Sequence, residues 1–123
     1  MYEKLAAWID GLPFETMSDE AVAFYFCLYD YCNDLDWGMD LLTASRFDED
    51  DPDWPCDVVE FLNNRDNRFA WRSEAEWDAV LDEVLEALKA YLENGSRSAE
   101  LKSKAAVSAG FDDGDIFNLY IKQ

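Results

Sequence analysis

Of 123 residues, 28 are Asp or Glu and only ten are Lys or Arg, giving a formal charge of -18, and histidine is missing. Half the chain is hydrophobic and 15% is aromatic, which excludes a disordered acidic tail and fits one folded domain over 1–123. Without histidine the usual triad base and the commonest metal ligand are gone, and a surface of this sign repels nucleic-acid phosphates and anionic membranes.

The opening MYEKLAAWIDGLPF lacks the basic region and long apolar run of a signal peptide. Leu5, Trp8, Ile9 and Leu12 fall at helical spacing, with Gly11 and Pro13 as stop signals, so Met1 to Gly11 reads as a short amphipathic helix. Ser18 could open a second helix, but Phe24, Tyr25, Phe26, Tyr29 and Tyr31 favour a strand from about Ala21 to Asp30. Cys32 to Asp36 reads as a turn. The alternation Trp37, Met39, Leu41, Thr43 around polar Asp40 then predicts a second strand with one face on the core. So short a connection implies an antiparallel hairpin.

Asp48 to Trp54 (DEDDPDW) reads as a loop, because Pro52 removes a backbone donor and neighbouring carboxylates repel. Asp57 to Asn64 is compatible with a helical turn, and Phe69 to Trp71 with a short extended piece. Arg65, Arg68 and Arg72 form the one basic cluster. Ser73 with Glu76 reads as a capping box opening a helix from about Glu74 to Asn94. Trp77, Val80, Leu81, Val84, Leu85, Leu88, Tyr91 and Leu92 form its apolar stripe, and Asn94-Gly95 is its stop. Ser96 to Ser103 reads as a polar linker. AAVSAGF and IFNLYI then form strands joined at Asp113-Gly114, a signal for a two-residue type I′ turn. These elements predict an α+β domain: an antiparallel sheet of about four strands in two hairpins, packed against the long helix and the short N-terminal one.

The acids of the Asp48–Trp54 loop are Asp48, Glu49, Asp50, Asp51 and Asp53. They suit bidentate contacts with a partner's Arg and Lys side chains, and Trp54 suits an interface anchor as the tryptophan expected to be exposed. Asp34 and Asp36 in the first turn, and Asp112, Asp113 and Asp115 in the last, complete the candidate contact set. Clustered carboxylates also suit calcium, but neither acidic segment has the glycine and glutamate positions of an EF-hand loop. The bland alternative is a solvated loop that keeps the chain soluble, although -18 exceeds the magnitude of about 2–8 that solubility asks for. Asp36 beside Trp37 and Asp30 near the end of the aromatic run are the nameable candidates for a carboxyl with a raised pKa in a hydrolase site. No other feature builds a substrate cleft, and Cys27 and Cys32 have no histidine to generate a thiolate. Three cysteines without metal-site spacing read as reduced thiols in a cytosolic protein.

A short N-terminal helix, AVAFYFCLYD, WGMDLLTASRFDEDDPDWPCD, a long helix and a closing AVSAGFDDGDIFNLY follow one another. In this order the chain resembles the small acidic immunity proteins of bacterial polymorphic-toxin and contact-dependent inhibition systems. The resemblance implies a cytoplasmic inhibitor without catalytic residues or cofactor. It would act as a monomer that forms a heterodimer with one cognate toxin domain. A basic nuclease toxin fits that role, since such enzymes attract phosphates with positive surfaces. The same physics allows a nucleic-acid mimic that blocks a DNA-binding protein. A small carboxylate-based or metal-dependent enzyme is a different class, and a scaffold with no charged partner, associating through apolar area regardless of salt, is a fourth.

Overall fold

The computed structural model describes residues 1–31, 35–112 and 114–122. The N-terminal helix α1 (Tyr2–Asp10) forms as its spacing predicts and buries Leu5 and Ile9. The aromatic run becomes β1 (Ala23–Asp30), which pairs antiparallel with β2 (Asp36–Ala44) from Ala23 opposite Ala44 to Asp30 opposite Trp37. Most of the predicted turn between them lies outside the described residues.

Val58–Phe61 (β3) and Phe69–Arg72 (β4) both pair antiparallel with β2, β3 along its C-terminal part and β4 along its N-terminal part. The helical turn expected over Asp57 to Asn64 is thus a strand. β-Branched Val58 and Val59 favour the pleat, and β2 offers an open row of backbone groups, with Leu62 N–H donating to Leu41 C=O at 2.8 Å.

The long helix α2 (Trp77–Asn94) starts later than its sequence signal suggests. The Ser73 hydroxyl accepts from the Ala75 N–H, and no capping box with Glu76 forms. Ser73 is instead tied to the start of β2: its N–H donates to Leu35 C=O (2.8 Å) and its C=O accepts the Trp37 indole N–H (3.1 Å). These bonds hold residue 73 out of the helix, directly after β4. The expected linker contains a short helix, α3 (Ser98–Lys102), which buries Leu101.

β5 (Ala106–Phe111) and β6 (Phe117–Ile121) form the second antiparallel hairpin. Their last paired residues are Ala109 and Phe117, so the connection is longer than the two-residue turn expected at Asp113-Gly114. Gly114 does not adopt a left-handed φ, and its N–H donates to Phe111 C=O. β5 lies parallel to β1, with Ala23 opposite Ala106 and Leu28 opposite Phe111. The four-stranded antiparallel expectation is therefore corrected to a mixed sheet of six strands in the order β3-β2-β1-β5-β6, with β4 also on β2. Residues between β2 and β5, α2 above all, supply the long crossover that parallel neighbours require.

Both faces of the central strands are covered. Phe24, Phe26, Leu28, Met39, Leu41, Val107 and Ala109 pack against the helices in the main core. Ala23, Tyr25, Cys27, Leu42, Ala44 and Ala106 form a second core on the opposite face, closed by Trp54. One buried face was expected for β2; the burial of Asp40, Leu42 and Ala44 shows two.

Candidate functional site

The cover of the second face is the acidic loop itself, and its own side chains shape it. The Asp48 carboxylate accepts the Asp50 N–H, and the Asp51 carboxylate accepts the Asp53 N–H, each at 2.9 Å. Arg46 bridges Asp51 (2.8 Å) and Asp57. The Asp53 N–H and then the Arg46 guanidinium hold the Asp51 carboxyl below the usual carboxylate range. Asp48 and Asp51 therefore serve the loop's conformation, while Glu49, Asp50 and Asp53 project into solvent.

Trp54 corrects the expectation of an exposed anchor. It is only 1% exposed and meets the rings of Phe47 and Tyr25 edge-on, at 5.2 and 6.0 Å between centroids. Burying it clamps the backbone of the loop onto the sheet.

Two acidic segments far apart in sequence converge here. One cleft of about 370 Å³ has Tyr25, Cys27 and Leu42 among its lining residues, with Asp53 and Cys56 from the loop and Asp112 and Ile116 from the β5–β6 connection. A neighbouring groove of about 410 Å³ brings Glu49 and Asp51 beside Asp115 and Phe117. Gly110 permits this approach: a Cβ there would come within 2.3 Å of the Asp115 carbonyl oxygen. Asp36 does not join the group. It pairs with Arg72 (3.0 Å) and lines a separate groove with Tyr31 and Trp71. Asp34 and Asp113 lie outside the described residues.

Trp77 and Phe117 were not foreseen as surface residues. Trp77 belongs to the apolar stripe of α2 yet is 58% exposed, and Phe117 is 38% exposed. The usable signal was position: Trp77 stands at the first helical residue between Glu76 and Asp78, with no earlier turn of helix to cover it. Interfaces favour aromatic residues of this kind beside a polar rim.

Two potential nucleophiles of the cleft, Cys27 and Tyr25, are poorly suited to chemistry. Burial pushes the Cys27 thiol up to about 11, and burial likewise raises the Tyr25 phenol well above its ordinary range. A thiol that stays protonated at neutral pH is a weak nucleophile. Among the described residues no group of three or more acidic or cysteine side chains is placed to hold a metal ion, and no helix is long and apolar enough to cross a membrane. Near neutral pH, a maleimide is expected to label exposed Cys56 and spare buried Cys27. Peptide mapping by mass spectrometry reads this directly, and labelling of Cys27 at a rate similar to Cys56 would contradict the burial argument.

Comparison with known proteins yields no relatives: no family model matches the chain, and neither does a curated protein or a solved structure.

Proposed function

We propose that this protein is a non-catalytic inhibitor that neutralises a basic toxin domain, in the manner of the acidic immunity proteins it resembles. The observation that carries this reading is the convergence of the 48–53 loop and the 112–116 connection on one face of a chain with net charge -18. A concave negative surface raises the local concentration of a positive partner and speeds encounter. The clamped loop favours tight binding as well, because a backbone already held in place loses little freedom on contact. The partner is a basic nuclease domain, the complex is a heterodimer, and the compartment is the cytoplasm.

Reversing Glu49, Asp50 and Asp53 together to lysine is expected to slow association with the toxin domain encoded beside this chain by at least about tenfold at low ionic strength. The deficit should shrink as salt is added, since screening removes the attraction from both proteins. Stopped-flow kinetics across a salt series measures both effects. Unchanged association rates in the reversed variant would refute the loop's role.

A second reading, the nucleic-acid mimic, draws on the outer face of α2. There Asp78, Asp82, Glu86 and Glu93 are all exposed along one helix. That face would then replace the loop as the sensitive region, and charge reversal on α2 would reduce binding more than reversal in the loop.

A further inference from the structure

We propose that the notch between the start of α2 and the β5–β6 connection seats one arginine side chain of the partner. The inference rests on the reading of this surface as a site for a basic protein, and it assigns the residue type recognised there. The notch is lined by Trp77, Leu81, Phe111, Gly114, Asp115 and Phe117, and it holds about 200 Å³. That is below the ~300–1,000 Å³ of small-molecule pockets and suits a single side chain.

The protein's own arginines show how it holds a guanidinium. Arg68 lies 4.6 Å over the Tyr29 ring and forks onto the Asp40 carboxylate. Arg97 lies 4.8 Å over the Phe14 ring and bonds Glu15 and Glu100 at 3.0 and 3.1 Å. Each site combines an aromatic face with a carboxylate. The notch brings together the same residue types: the exposed ring of Trp77, set edge-on to Phe111 at 6.3 Å, and an acidic residue, Asp115, in its lining. No lysine or arginine is among its lining residues.

Indole is the strongest cation-binding ring among the side chains, and a planar, weakly hydrated guanidinium stacks on it better than an ammonium does. The positive end of α2 works against a cation here, and Glu74, Glu76 and Asp78 around Trp77 offset it. Asp115 and Phe117 also line the acidic groove next door, so the notch adjoins the groove that carries Glu49 and Asp51.

The test uses ten-residue peptides of all arginine and all lysine, which carry equal charge, titrated onto the full chain by calorimetry. The arginine peptide is expected to bind about 5–30-fold tighter. Trp77→Ala should abolish that preference, weakening the arginine peptide more than the lysine peptide, and Trp77→Phe should retain part of it. Reversal of Glu49, Asp50 and Asp53 should weaken both peptides alike. Circular dichroism verifies that the exposed-site variants fold. Equal affinity for the two peptides, or a preference that survives Trp77→Ala, overturns the arginine seat and leaves the acidic-surface reading standing. Failure of both peptides to bind overturns the two together.

Discussion

Trp54→Ala is expected to destabilise the protein by about 3–5 kcal/mol, the usual range for deleting a fully buried aromatic side chain. Trp54 is 1% exposed and closes the second core over Tyr25, Leu42 and Ala44. Its backbone is held as well, with its N–H on Asp51 C=O and its C=O accepting the Asp57 N–H. No neighbouring helix stands ready to collapse into the void, because the helices lie on the other face. The damage should also be local. Once the indole is removed, the 48–53 backbone loses the clamp that positions it, and proteolysis should find the loop before global unfolding. Urea melts combined with limited proteolysis measure both effects, and Trp54→Phe should recover a substantial part of each. A loss under about 1 kcal/mol for the alanine variant would show that the indole is not the keystone of this face.

The second large effect concerns the buried ion pair. The Asp40 carboxylate is 4% exposed and takes two parallel bonds from Arg68, at 2.8 and 2.9 Å. Asn63 donates to the same carboxylate at 2.8 Å and accepts the Leu41 N–H at 2.8 Å, so the network also ties the 63–68 segment to β2. Arg68→Ala strands a carboxylate in the sheet, and breaking such pairs typically costs about 3–5 kcal/mol. The Arg68 side chain is 26% exposed, so water can reach the orphaned charge and the lower end of the range is expected. Asp40→Leu combined with Arg68→Met should restore most of the loss, since apolar replacement of both partners is often neutral. A double variant as unstable as Arg68→Ala alone would show that the pair contributes something other than charge compensation.

Local chemistry was enough to read the elements whose partners are near in sequence. The dense aromatics of 24–31 and the alternation of 37–43 announced a hairpin, and the 80–92 stripe announced α2. What escaped depended on distant partners. The central place of β5 follows from its fit beside β1, and nothing in AVSAGF marks that neighbour. Val58 and Val59 became a strand because β2 had an edge to fill. Ser73 carried a valid capping signal and lost it to hydrogen bonds with Leu35 and Trp37. Within the candidate site, charge was legible and placement was not. Composition indicated the acids, but only folding put Asp53 and Asp112 across one cleft, buried Trp54 and left Trp77 outside.

The parallel join of β1 to β5 also bears on how the chain is made. As it leaves the ribosome, the first hairpin has an unclaimed strand edge on β1, flanked by Phe24, Phe26 and Tyr25. Ala23 cannot be matched until Ala106 has been synthesised and α2 has swung across. Such long-range closure is slow, and bare edges of this kind invite pairing with other chains. Premature termination before Ala106 would therefore yield a sticky fragment in place of a smaller working domain, and the abundant negative charge helps hold such nascent chains apart while they wait.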